Sequence, residues 1–144
     1  MLPLPEVKDK LKWAYLAGLI DGEGTIRIHK QTVYGYNPYF HLRLIISNTS
    51  ADLMTWLTLN FGGSIDSKGV TSSDKKYMGW YVSAKDVKKV IENTYSFLVV
   101  KKKQVQVALN YIYCKDRMGG EVFYLEMKEL NKRGKDDDDS ERSG

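Results

Sequence analysis

The chain has 144 residues, 42% of them hydrophobic and 28% charged, which is enough for one buried core and excludes general disorder. Its single cysteine, Cys114, excludes a disulfide-stapled fold. The net charge is +4, yet five of the 18 acids fall within residues 135–144, so residues 1–134 carry +7. A basic body followed by an acidic run points to a polyanionic partner, nucleic acid ahead of membrane.

No apolar run approaches the ~18 residues of a membrane span. The start, Met1 to Glu6, lacks the basic and long apolar segments of a signal peptide. An intracellular protein with no membrane partner is therefore expected.

A first helix is expected from about Glu6 to Ile20. Pro5 suits a helix start, and Leu11, Tyr15, Leu16, Leu19 and Ile20 recur at three- and four-residue spacing. Two alternating runs follow, Thr25 to Lys30 and Tyr39 to Ile46, separated by the turn-forming Tyr34-Gly35-Tyr36-Asn37-Pro38. They predict a long-loop hairpin. Asn48-Thr49-Ser50 offers caps for a helix through Leu53, Trp56, Leu57 and Leu59, stopped by Gly62-Gly63.

The pattern then repeats more weakly. Ser64 to Lys68 and Met78 to Ser83 form a second predicted hairpin, and a helix carrying Val87, Val90 and Ile91 follows. Phe97 to Val100 leads into another helix with Val105, Ala108, Tyr111 and Ile112, and Val122, Leu125 and Leu130 mark a last short one. This order predicts an α+β fold with an antiparallel sheet and C-terminal helices. Residues 1–134 are expected to form one domain. The run Asp136 to Asp139 repels itself and buries nothing, so residues 135–144 are expected to be a disordered acidic tail.

The first hairpin also predicts a binding face. Ile26, Ile28, Phe40, Leu42 and Leu44 point to the core, while Thr25, Arg27, His29, Gln31, Tyr39, His41 and Arg43 point the other way. From Gly24 to Ala51 there is no acid, whereas an ordinary solvated face mixes signs. Such a ribbon suits the major groove, with Arg27 or Arg43 on guanine and Gln31 on adenine. The matching outward set of the second hairpin is Asp66, Lys68 and Tyr81, with Lys75 and Lys76 at its tip as backbone contacts. A strand of ~9 residues spans ~30 Å, or about nine base pairs at ~3.4 Å each. Two strand histidines are too few for a zinc site. Trp13, Trp56 and Trp80 are expected to pack rather than stack on bases.

The segment Leu16-Ala17-Gly18-Leu19-Ile20-Asp21-Gly22-Glu23-Gly24 carries the chemistry. A glycine inside a helix costs ~1 kcal/mol relative to alanine, which makes sense if another backbone approaches closely. With the helix ending at Gly22 or Gly24, Asp21 and Glu23 lie at its negative end. Either a hard divalent cation compensates them, or Asp21 bonds locally and Glu23 is solvated in a turn.

This nonapeptide resembles the signature of the LAGLIDADG homing endonucleases, with Gly22 for alanine and Glu23 for aspartate. The element order is similar to that family's αββαββα core with its saddle-like DNA-binding sheet, over roughly residues 6 to 130. The resemblance implies that Glu23, with the backbone carbonyl of Gly22, binds a catalytic Mg²⁺. It further implies that Mn²⁺ substitutes and that Ca²⁺ supports binding without cleavage. Asp21 would tie off the helix end. One motif implies the single-motif branch, a homodimer pairing motif helices through Ala17, Gly18 and Asp21 on a near-palindromic duplex. Asn48 aligns with the amide residue that orients solvent, and Lys101 with the active-site lysine.

The function implied is Mg²⁺-dependent, site-specific double-strand DNA cleavage leaving short 3′ overhangs. The implied origin is an intron-encoded protein of an organelle (chloroplast or mitochondrion) or a prokaryotic cytoplasm. The alternatives are an intron RNA maturase of the same fold and a non-cleaving DNA-binding regulator. Retained Glu23 and Lys101 favour the endonuclease.

Overall fold

A computed structural model describes residues 9–36, 38–70, 76–83, 85–114 and 119–143, without the side chains of residues 68, 70, 85 and 133–143. Helix α1 (Asp9–Glu23) leads into strands β1 (Gly24–Gln31) and β2 (Tyr39–Asn48), then α2 (Ala51–Phe61). Strands β3 (Ser64–Val70) and β4 (Lys76–Ser83) follow, then α3 (Lys85–Thr94), α4 (Lys102–Tyr113) and α5 (Gly119–Ser143). The strands form one antiparallel sheet in the order β1-β2-β4-β3.

Alternation decides the sheet's two faces. In β1 and β2, Ile26, Ile28, Leu42, Leu44 and Ile46 are buried, whereas the residues between them on β1 are exposed through His29. The inward cross-strand pairs Ile26 with Leu44 and Ile28 with Leu42 each set two branched apolar side chains together. Leu16 and Ile20 of α1, Leu57 of α2, Ile91 of α3 and Val105 of α4 close over that face, with Trp80 of β4 at its centre. Burying each such side chain contributes roughly 1.5–3 kcal/mol.

All three tryptophans pack. Trp13 and Trp56 lie with ring centroids 5.0 and 5.5 Å from Phe61. Trp80 satisfies its indole by donating to the Gly62 carbonyl at 2.8 Å.

Helix α2 starts where its cap predicts, the Ser50 hydroxyl accepting from the Leu53 amide at 3.2 Å. It stops at Gly62, whose φ of 75° only glycine tolerates well. Helix α5 is not short. It spans 25 residues and lies along the free edge of β1, where Glu121 pairs with Lys30 at 2.9 Å. Asn131 Nδ2 donates to the Ile26 carbonyl at 3.0 Å. The Tyr111 hydroxyl of α4 donates to the Phe40 carbonyl, and burial pushes this phenol's pKa up. No described helix is long and apolar enough to cross a membrane.

Gly62 and Gly63 give a differential test of the turn after α2. Each has positive φ, but a Cβ at Gly63 would stand 2.6 Å from the Tyr81 carbonyl oxygen whereas one at Gly62 meets open space. Gly63→Ala is expected to destabilise by about 1–3 kcal/mol more than Gly62→Ala, measured as urea midpoints by circular dichroism.

Candidate active site

Three sequence-distant segments meet at the last turn of α1. Helix passes into strand there without a loop, because Gly24 lies against α1 where a Cβ would stand 2.7 Å from the Ile20 carbonyl oxygen. Glu23, the last helical residue, is therefore held between two regular elements with its carboxylate exposed. Asn48, at the end of β2, donates through Nδ2 to both Glu23 oxygens at 3.2 and 3.0 Å. Its own Oδ1 accepts from the Ser50 amide at 2.8 Å, which fixes which end of the amide faces Glu23. Among the described residues no Lys or Arg pairs with Glu23.

Asp21 does something the sequence did not disclose. Its Oδ2 accepts from the Val99 amide at 2.8 Å, and its Oδ1 from the amides of Val100 and Lys101 at 3.0 and 2.9 Å. Charged hydrogen bonds to three consecutive amides dock the segment that starts α4 onto the end of α1. Lys101 is the N-cap residue of α4. Glu23, Asn48 and Lys101, far apart in sequence, are thereby tied to a single helical turn.

The exposed stripe of α1 is Leu11 (61% exposed), Tyr15 (55%), Gly18 and Gly22, at spacings of four, three and four. A Cβ on Gly18 or Gly22 meets nothing within 4 Å, so nothing described in this chain requires either glycine. Ala17, expected on the paired-helix face, lies off this stripe, fully buried in the chain's own core. Asp21, also expected at that contact, spends its carboxylate on residues 99–101 instead. Next to it stand Val99 and Val100, 82% and 66% exposed, an apolar pair that sequence periodicity passed over.

The outward face holds the expected residues. Thr25, Arg27, His29, Gln31, Tyr39, His41 and Arg43 are all exposed. The register sets Arg27 opposite Arg43, His29 opposite His41 and Gln31 opposite Tyr39. The Arg43 guanidinium lies 5.3 Å from the Tyr81 ring centroid. Asp66 shares the face, through pairing of Ser64 with Tyr81 and of Asp66 with Gly79. Lys68 falls in a bulge, where the register shifts between Ser67 and Gly69. Lys76 is exposed at the start of β4, and Lys75 lies outside the described residues.

The family model of the LAGLIDADG endonucleases matches residues 16–113. The chain belongs to this family. Solved LAGLIDADG structures have the same α+β fold. The homing endonuclease I-CvuI, in complex with its target in the presence of calcium, superposes with a TM-score of 0.72 at 19% identity, covering 85% of this chain and 83% of that one. The archaeal intron-encoded I-Vdi141I, complexed with DNA, gives 0.67 at 16%, covering 87% and 85%. A variant of I-SmaMI gives 0.63 at 17%, covering 89% of this chain but 46% of that one. At these identities the likeness carries the fold alone. No curated sequence relative matches.

In this LAGLIDADG chain the Asp21 contacts have a direct readout. Asp21→Ala is expected to speed amide hydrogen exchange at Val99, Val100 and Lys101 about tenfold or more, corresponding to ~1.4 kcal/mol of local opening. Amides in β1 and β2 keep their protection.

Proposed function

We propose that the chain acts as a homodimeric, site-specific endonuclease on double-stranded DNA, each protomer supplying one Glu23 carboxylate to a shared centre. The observation that carries this reading is the convergence, on the exposed end of α1, of the Glu23 carboxylate, the Asn48 amide and the backbone of Lys101. The glycines at 18 and 22 support the pairing of two copies. Each costs its helix ~1 kcal/mol without serving any described contact within the chain, so the need for a small residue lies outside it. Val99 and Val100 extend the apolar surface beside that stripe.

The donor set fits a hard divalent cation. Glu23 is an exposed carboxylate without a described cationic partner, and the carbonyls of the last helical turn, Gly22 among them, lack intrahelical amides. Among the described residues no three His, Cys, Asp or Glu cluster, so one protomer offers half a site. Glu23 and the Gly22 carbonyl would hold Mg²⁺. Held there, it would supply Lewis-acid polarisation of the scissile phosphate and charge stabilisation at the leaving 3′ oxygen. Mn²⁺ substitutes in this reading, and Ca²⁺ supports binding alone.

The remaining work falls to the chain's own groups. With both amide ends engaged, Asn48 is a positioning residue that holds the Glu23 rotamer, rather than the solvent-orienting group its place in the sequence suggests. Lys101, fixed by Asp21, brings a cation to the charge that develops on the phosphate. The acid-free face of β1 and β2 grips the duplex, each protomer taking one half of a near-palindromic site. Cleavage leaves short 3′ overhangs.

A Mg²⁺-dependent cleavage selection on a genomic DNA library, with EDTA as control, tests the reading. The expected result is one near-palindromic site of about two duplex turns. No cutting with any metal, and RNA retained instead, would replace it with a splicing cofactor. On the selected site Glu23→Gln is expected to abolish cleavage while Ca²⁺-supported binding persists, and equal loss of binding would make Glu23 structural. In single-turnover kinetics Asn48→Ala is expected to lose about 10–100-fold, and Lys101→Ala about 100–1,000-fold with little change in Kd.

A further inference from the structure

We infer that the outward face of the first hairpin is a proton-gated phosphate clamp, in which His29 and His41 bind protons as DNA arrives and hold its backbone together with Arg27 and Arg43. This rests on the reading that the face meets DNA, and adds how the grip is regulated. The chain has two histidines in all, and the register makes them direct cross-strand partners on the exposed side. The next row on the same face is Arg27 opposite Arg43. Facing side chains lie ~5 Å apart across the strands, and same-face neighbours ~7 Å apart along them. Four nitrogen-bearing side chains thus bound a patch the size of one phosphodiester group.

Among the described residues the strands that carry the patch hold no acid, while α3, which follows Ser83, brings Asp86, exposed in its first turn, besides Lys88. On its own strands stand Gln31 and Tyr39 beyond the histidine row. From β4 come Ser83, paired with Arg43, and Tyr81, stacked on it. From α3, Lys88 shares with His41 the lining of a 370 Å³ cavity that Tyr111 of α4 also lines. Glu121 of α5 is engaged with Lys30, whose neighbours in sequence are the outward His29 and Gln31. Asp66 stands on β3, beyond β4 and level with Ser47 rather than with the histidine row. No described carboxylate on β1, β2 or β4 neutralises the patch.

Like charges directly opposite one another destabilise a hairpin, and the arriving phosphates reverse that sign. Imidazole is the side chain whose ordinary titration falls between about pH 5 and 8. If imidazolium binds phosphate better than imidazole does, DNA binding takes up protons, and by linkage a lower pH tightens DNA binding. A homodimer has four such imidazoles. Each one that is charged adds about one phosphate contact to the salt dependence.

The test measures binding of the full chain to a random-sequence duplex of about 30 base pairs by fluorescence anisotropy, in EDTA and at fixed ionic strength. The expected result is a Kd at least about tenfold tighter at pH 6 than at pH 8, with a steeper log–log salt slope at pH 6. The double variant H29N/H41N is expected to bind equally at the two pH values, its thermal midpoint showing that it still folds. As a measurement on the unsubstituted chain, calorimetry at one pH in buffers of different ionisation heat is expected to show net proton uptake on DNA binding. Binding that ignores pH, or pH dependence that persists in H29N/H41N, overturns the clamp and leaves the DNA-binding reading standing. No binding at any pH overturns both.

Discussion

Helix α1 gives way to β1 with no intervening loop, and the geometry of that single junction sets the register of the whole site. Gly24 presses on the backbone of Ile20, so the chain can turn from helix to strand only with no side chain at that position. Three residues earlier, Asp21 gathers three amides from the start of α4, and one residue earlier Glu23 receives both Nδ2 contacts from Asn48. Three segments of chain are indexed on one turn of helix. Because α1 is anchored by fully buried Leu16 and Ile20, the core that stabilises the fold also fixes where the site residues stand.

The sheet divides its labour by face. Inward, pairs such as Ile26 with Leu44 contribute hydrophobic burial that stabilises the hairpin. Outward, Arg27 faces Arg43, an arrangement that costs stability unless an anion is present. The same strands therefore gain on one side what they give up on the other, and an anion between the two guanidinium groups relieves that conflict. That is the pattern expected where a local rule is broken for function.

Much of this was legible in the sequence because it is encoded locally. Strict alternation in β1 and β2 fixed inward and outward sets, since a strand with one buried face tolerates no slip. Ser50 and Gly62 marked the ends of α2 through cap chemistry. The contacts of Asp21 were not legible, because its partners lie about 80 residues away and are backbone amides of whatever residue stands there. Ala17 was misplaced for a related reason. Neighbouring helix positions point ~100° apart, so adjacent small residues in one motif serve different needs, Ala17 the chain's own core and Gly18 the open side. The length of α5 was hidden because the apolar spacing ends near Leu130 while the helix continues through polar residues. The bulge between Ser67 and Gly69 was hidden too, since nothing in the run Ser64 to Val70 announces it.

The docking of α5 along β1 has a further consequence for how copies of this chain meet. An uncovered edge strand is a template on which another chain can add a strand and begin to aggregate. Asn131 occupies the Ile26 carbonyl, and the Lys30–Glu121 pair clips the helix near the far end of the same strand. The opposite edge, β3, is broken by its bulge. With one margin shielded and the other irregular, two molecules have little means of merging their sheets into a continuous ribbon. That leaves the helical side for the proposed homodimer, an assembly of two that closes on itself.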